Sequence, residues 1–382
     1  MRVVGIRGFL VGFAPDPALG NASAVIRRRD FLLLQLIGED GSAGWGEVFA
    51  SPFAASAFVR ARLAPLILGR SSRDLGRLYH DMVATLGYDR RGAAMMAISA
   101  VDMALHDLAA RSQGMSVAQM LGGGLRDRLL AYASGPFIAE RGAPYDAYPR
   151  EVEALLRRGF RAIKPRVGIA PRQDGLAMRA MRRQVGPDIA LMVDINQGYT
   201  VGAAIESARR MEEAELLWIE EPLQPEDVGG YRQVARAARC AIAGGEALAS
   251  LAAFRDFLQA QTFSVLQPDL TVCGGFTGLR RVAALADAFD VPVIPHVFGT
   301  TVNAHAALQA AALLTARRGG GPMPYPFIEI DATPNPLLTL LGPMDPRSDG
   351  TIAVPDAPGI GIDLDPQRLE PWITDHWRLG AA

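Results

Sequence analysis

The spacing of apolar and polar positions changes rhythm once along this chain, near residue 126. Before that point, the alternation in VVGIRGFLV predicts a first strand. The apolar runs of AVIRRRDFLLLQLIGED and GWGEVFA predict two more, joined by hairpin chemistry in EDGS around Gly41. Helical periodicity follows in AASAFVRARLAPLIL, SRDLGRLYHDMVATLG and AAMMAISAVDMALHDLAARSQG, the last closed by Gly114. From about residue 129, short apolar runs alternate with amphipathic stretches: LLAYAS, RAIKPRV, IALMVDIN, LLWIEEP, CAIAGGEAL, FSVLQPD, VPVIPHVF and PFIEID. Strand-helix alternation implies a parallel sheet with helical crossovers, and eight strands at this spacing predict an α/β barrel. A dinucleotide-binding open sheet is disfavoured, because no GxGxxG follows a first strand. The expected organisation is an α+β domain over 1–125, a barrel over 126–345, and a Pro/Gly-rich segment over 346–382 that returns to the first domain.

Composition narrows the function classes. With 382 residues, 49% hydrophobic and 21% charged, the chain reads as globular with a large core. A net charge of -1 and the lack of a Lys/Arg-rich track give no reason to expect nucleic acid. The short run Arg27-Arg28-Arg29 is expected to be a solvated strand or loop. No run of 18 apolar residues exists, so no membrane partner is expected. The apolar run from Phe9 to Ala14 is too short and interrupted for a signal peptide, which leaves the cytoplasm as the default compartment. Cys240 and Cys273 lack CxxC spacing, which excludes a structural zinc site and disfavours a disulfide framework.

Candidate chemistry sits where the barrel runs end. Asp194, Glu220 and Glu246 follow one another at intervals of 26 residues, one strand-helix unit each. Strand C-termini of a barrel gather on one face, and three converging carboxylates repel unless a cation lies among them. All-oxygen ligation suits Mg²⁺. The competing reading is that each acid caps the helix that follows it. On the next two strands, Asp269 and His296 stand 27 residues apart, placed for Asp269 to orient the imidazole and raise its basicity. His80, His106, His305 and His376 lie in helical stretches or near the tail and are expected to be packed or solvated. Lys164 is the single lysine among 39 basic residues, with Arg166 two positions on and therefore on the same strand face. A chain that spells every other basic residue as arginine keeps a compact ammonium here, which suits a point charge beside a developing oxyanion.

These residues together resemble the enolase superfamily, in its mandelate racemase subgroup. The matching motifs are K-x-R at Lys164 and Arg166, the acids Asp194, Glu220 and Glu246, the Asp269/His296 dyad, and Glu329 in FIEID. LMVDINQGYTV, GGFTGL, PHVFGT and PDAPGIGID look closest to galactarolactone cycloisomerases and acid-sugar dehydratases. The resemblance implies a modified TIM barrel, (β/α)7β, beneath an α+β capping domain, with one Mg²⁺ per subunit and homo-oligomer formation. It also implies a small-molecule carboxylate substrate whose α-proton is removed by a base, with Mg²⁺ and Lys164 sharing the charge that develops. Glu329, in protonated form, would donate a hydrogen bond to the same oxygens, and Asn196 would contact substrate. Racemases of the subgroup carry a second lysine where this chain has Arg166, and arginine does not serve as a base. A single base, His296, favours dehydration of an acid sugar to a 2-keto-3-deoxy acid, with cycloisomerisation or epimerisation as the alternative. A silent carboxylate-binding barrel would need no base with its own orienting acid. Arg166 would then hold the substrate tail or tune Lys164. Specificity is expected from loops around APDPALGNAS and FASPFAAS, with Phe13, Phe49 and Phe53 closing over the pocket.

Overall fold

The structure, a computed structural model, describes residues 1–87, 90–315 and 326–380. A four-stranded antiparallel sheet forms the cap, in the order Ile373–Gly380, Val3–Phe13, Arg29–Gly38 and Ala43–Val48. Both its faces are buried. Leu32, Leu34 and Leu36 pack into the cap's helical core, while Phe31 and Leu33 enter a core continuous with the barrel. Successive side chains of a strand point to opposite faces, so a continuous run such as FLLLQLI fits a strand covered on both sides. The strand Ala43–Val48 lies directly on the helix Ala93–Arg111: a Cβ at Gly44 or Gly46 would stand 2.2 or 1.9 Å from a carbonyl oxygen of Ala104 or Ala100. That helix is long and apolar enough to cross a membrane, but it is packed inside the protein.

The basic run at the start of the second long strand departs from the sequence expectation. Arg27 and Arg28 are exposed, but the Arg29 side chain is only 3% exposed and pairs with Asp331 at 2.6 Å. Alternation explains the difference, since Arg29 shares its face with Phe31 and Leu33, which look toward the barrel. The predicted strand therefore begins at Arg29, and Val25–Ile26 pairs separately with Leu19–Gly20.

The barrel strands are Arg128–Ser134, Ala162–Lys164, Ala190–Leu191 with Val193–Asp194, Trp218–Glu220, Ala241–Gly244, Val265–Leu266, and Phe327–Asp331 as the eighth. Neighbours pair in parallel, from the eighth to the first and onward through the sixth. The seventh, VPVIPHVF, makes only isolated bridges at Val293 and His296. Pro292 and Pro295 interrupt it, and proline has no N–H to donate to a ladder. After the eighth strand the chain first adds Thr351–Ala353 antiparallel to the first barrel strand. It next docks Ile360 N–H on the cap carboxylate Asp107, and ends as the outer strand of the cap sheet.

Inside the barrel two layers are stacked. The lower one is apolar: Tyr132, Ala162, Met192, Trp218, Ala243, Val265, Ile294 and Phe327 form a closed cluster. Two residues further along several of these strands, on the same inward face, stand Ser134, Lys164, Asp194, Glu220, Gln267, His296 and Glu329. The polar layer is where candidate chemistry collects.

Candidate active site

Asp194, Glu220 and Glu246 each offer a carboxylate oxygen within 4.8 Å of the others. None of the three caps a helix, because the helices that follow start behind Thr200, Asp227 and Ser250. Burial raises the pKa of all three. Their mutual repulsion adds to that rise, while Arg166 at Asp194, Lys164 at Glu220 and His296 at Glu246 oppose it. The acids Asp194, Glu220, Glu221, Glu246, Asp269 and Glu329 outnumber the cations Lys164, Arg166 and His296 in this layer. A buried oxygen cluster with an excess of acids fits a hard divalent cation.

Lys164 is fully buried. Its ammonium donates to Glu220 and lies 2.9 Å from Glu329 Oε1. Burial pulls its pKa down, but Glu220 and Glu329 outweigh that and hold it above the usual lysine range. Arg166 lies 3.3 Å from Asp194 Oδ2, donates from Nη2 to Ser134 Oγ at 3.0 Å, and stacks on Phe137 with 4.7 Å to the ring centroid. Its neighbours keep it a permanent cation, while its buried Nε makes no hydrogen bond.

His296 joins the same layer. Its Nδ1 is 2.7 Å from Asp269 Oδ2, and its Nε2 is 3.2 Å from Glu246 Oε2. Asp269 is held in turn by the Thr271 N–H at 2.7 Å and the Thr271 hydroxyl at 2.6 Å. Burial lowers the imidazole pKa, yet Glu246, Glu329 and Asp269 overcome it and push it up to about 10 in the free protein. His80, His106, His305 and His376 lie apart from the layer. His106, for instance, is buried in the cap helix against the Asp102 carbonyl at 2.8 Å.

Glu329 lies in the same layer, between Lys164 and the His296 segment. Burial alone would raise its pKa, but Lys164, His296 and Arg166 outweigh that and bring it down to about 2 in the free protein. Its Oε2 accepts the Val297 N–H at 3.1 Å. Asn196 sits beside the acids with φ of 45° and holds Asp194 through its N–H at 2.7 Å and its Nδ2 at 2.9 Å. Its buried Oδ1 has no hydrogen-bond partner, which leaves one acceptor unsatisfied beside the acids.

The expected lid residues divide. Ser23 donates to the Asn196 carbonyl, which brings the first cap loop over the third strand end. Phe49 lies 5.9 Å from the His296 ring. Phe53 is 58% exposed, and Phe13 stacks on Phe31 beside Arg29.

Sequence reasoning missed Glu221 and Gln267. Glu221 follows Glu220 and should face away, but its φ of 39° turns the chain, and its carboxylate accepts from Gln197 Nε2 at 2.8 Å. Gln267 donates from Nε2 to Glu220, which also accepts from Trp218 Nε1 at 3.1 Å. Its position two residues before Asp269 was the available signal.

Comparison with known proteins agrees with this geometry. Residues 147–368 match the family described as enolase C-terminal domain-like. Residues 16–122 match the mandelate racemase / muconate lactonizing enzyme N-terminal domain. D-galactarolactone cycloisomerase from Agrobacterium fabrum is 32% identical over 97% of this chain and 98% of its own. D-gluconate dehydratase from Thermoproteus tenax is 30% identical over 89% of this chain and 69% of its own. A crystal structure of L-talarate dehydratase from Polaromonas sp. JS666, complexed with Mg and L-glucarate, superposes with a TM-score of 0.86 at 27% identity, covering 100% of both chains. The chain therefore belongs to the mandelate racemase / muconate lactonizing enzyme family of the enolase superfamily, with a capping domain over a TIM-barrel-like fold.

Proposed function

We propose that this enolase-superfamily enzyme removes the proton α to the carboxylate of an acid sugar, with His296 as base, and expels the β-hydroxyl to give a 2-keto-3-deoxy acid. The observation that carries this reading is the pairing of one oriented base with a permanent cation. His296 is backed by Asp269 at 2.7 Å and presents Nε2 to the acid cluster, whereas Arg166 offers no titratable group.

Asp194, Glu220 and Glu246 are the residues proposed to hold Mg²⁺, which when bound would supply Lewis-acid polarisation of the substrate carboxylate. Lys164, which donates to Glu220, would lie beside the same oxygens and meet the charge that develops as the proton leaves. His296 Nε2 accepts the α-proton, and Asp269 holds Nδ1–H and stabilises the imidazolium. That imidazolium returns the proton to the β-hydroxyl, the C–O bond breaks, water departs, and the enol tautomerises to the ketone. Asn196 Oδ1 and Arg166 Nε, both buried without hydrogen-bond partners, receive the sugar's polar groups.

A second reading, aldarolactone cycloisomerisation, draws on the relative that is 32% identical over 97% of this chain. Its first step is the same. If the β-leaving group is a ring acyl oxygen, it departs as a carboxylate, no water is lost, and the product is an isomer. A ¹H NMR screen in D₂O with Mg²⁺, over aldonic acids, aldaric acids and aldarolactones, separates the two. Loss of the α-proton signal with a new 3-deoxy methylene from an open-chain acid supports dehydration. The same change from a lactone alone supports cycloisomerisation. Retention of the α-proton signal in every acid and lactone would sink both readings.

A further inference from the structure

The chain around the proposed base is held from two sides. His296 N–H donates to the Pro268 carbonyl at 3.2 Å, Val297 N–H to Glu329 at 3.1 Å, and Thr301 N–H to the Leu337 carbonyl at 3.0 Å. The Gly299 carbonyl accepts from Asn335 Nδ2 at 2.9 Å. These restraints belong to the barrel. The remaining ones come from the cap. Arg29 Nη2 donates to the Phe298 carbonyl at 3.0 Å and its guanidinium lies 3.8 Å over the Phe298 ring. Glu47 accepts from Thr300 N–H at 2.9 Å, Thr300 hydroxyl at 2.6 Å and Asn303 N–H at 2.9 Å.

Glu47 is fully buried, and those contacts all come from one short segment. A buried carboxylate without an adjacent cation is costly unless donors satisfy it. Here the donors are at the N-terminus of the helix Thr301–Ala312, whose dipole also favours an anion. The approach is close enough that a Cβ on Gly299 would stand 2.3 Å from Glu47 Oε1. Phe49, two residues beyond Glu47, reaches the imidazole itself.

We infer that Glu47 is a positioning residue for His296: the cap strand Ala43–Val48 fixes the segment from Phe298 to Asn303, so the base takes its working orientation only when the cap is seated. Glu47 does not touch the imidazole and acts through the backbone of Gly299 and Thr300. Arg29 reinforces it from the neighbouring strand, through Phe298 and the ion pair with Asp331. The functional meaning of His296 rests on the proposed reaction; the mechanical link does not.

Another buried cap carboxylate provides the control. Asp102 accepts from Thr277 N–H at 3.0 Å and Thr277 hydroxyl at 2.7 Å on a different barrel helix, outside the Phe298 to Asn303 segment. The test is ¹⁵N-histidine NMR of the full chain loaded with Mg²⁺, the His296 ring signals being those lost in His296→Asn. Glu47→Gln should move or broaden the His296 signals, while Asp102→Asn leaves them in place even where it lowers Tm. If Glu47→Gln does not fold, Thr300→Val removes one donor to Glu47 and should move the same signals by a smaller amount. With an acid that the screen shows to exchange, Glu47→Gln should lower kcat about tenfold or more at nearly unchanged KM, as expected for a base displaced by a fraction of an ångström. His296 signals unchanged in both Glu47→Gln and Thr300→Val would overturn the inference. If no acid exchanges in the wild type, the proposed reaction fails, while the NMR comparison still decides the positioning role.

Discussion

Two layers of the same barrel, two residues apart along its strands, obey opposite rules. In the lower layer Trp218, Tyr132 and Phe327 meet edge to face, with ring centroids 5.5 to 6.3 Å apart. In the upper layer Glu220, Ser134 and Glu329 occupy the next inward positions, and almost every side chain carries charge or a hydrogen-bonding group. Both layers are buried. The lower one contributes apolar burial and close packing; the upper one assembles charges that repel one another and depend on a few cations for compensation. The contrast teaches that the plug supplies the rigidity by which the acids are held together at all. Trp218 joins the layers directly, packing below and donating Nε1–H to Glu220 above.

Replacing a residue in each layer should therefore damage different properties. His296→Asn should lower α-proton exchange by roughly 10²–10⁴-fold, with Mg²⁺ affinity measured calorimetrically staying within a few-fold. A variant exchanging at the wild-type rate would remove His296 from the mechanism. Trp218→Ala should cost about 3–5 kcal/mol of stability in denaturant unfolding, and Trp218→Phe much less, because the ring packing largely survives. Equal midpoints for these two variants would mean that the plug is not what holds the layer. Lys164→Arg should lower turnover by about 10²–10³-fold with Tm nearly unchanged, since the wider guanidinium displaces the charge. Retained turnover would show that the position needs only a cation.

The smallest expected effect is a proton count. His296 is raised from 6.5 to about 10 in the free protein, chiefly by Glu246 acting against burial. The folded state therefore holds this proton more tightly than the unfolded one. The resulting stabilisation is fully present below pH 6.5 and is lost as pH rises toward 10. Mg²⁺ held, as proposed, by Asp194, Glu220 and Glu246 would compete for the charge that holds the imidazolium, so metal binding at pH 8 should release up to about one proton per site. Calorimetry in buffers of different ionisation enthalpy reads that number. No release would separate His296 from the acid cluster.

Much of this organisation is legible in the chain itself, because it follows from local rules. Period-2 patterning marks Lys164 and Arg166 as neighbours on one face, and a 26-residue interval carries Asp194, Glu220 and Glu246 to successive strand ends. The retention of one lysine among 39 basic residues singles out Lys164 before any fold is known. The lowered pKa of Glu329 was not legible, since it depends on Lys164, His296 and Arg166, brought together from separate strands. Glu221 was hidden by a left-handed turn, and Arg29 by two exposed arginines before it. The role inferred for Glu47 lies further still from sequence patterning, because a cap strand meets the His296 segment only after the two domains dock. Residue type and strand period are properties of the chain alone. Which charges share a buried volume, and which carboxylate holds which loop, belong to long-range packing, where distance in space rather than in sequence sets the energy.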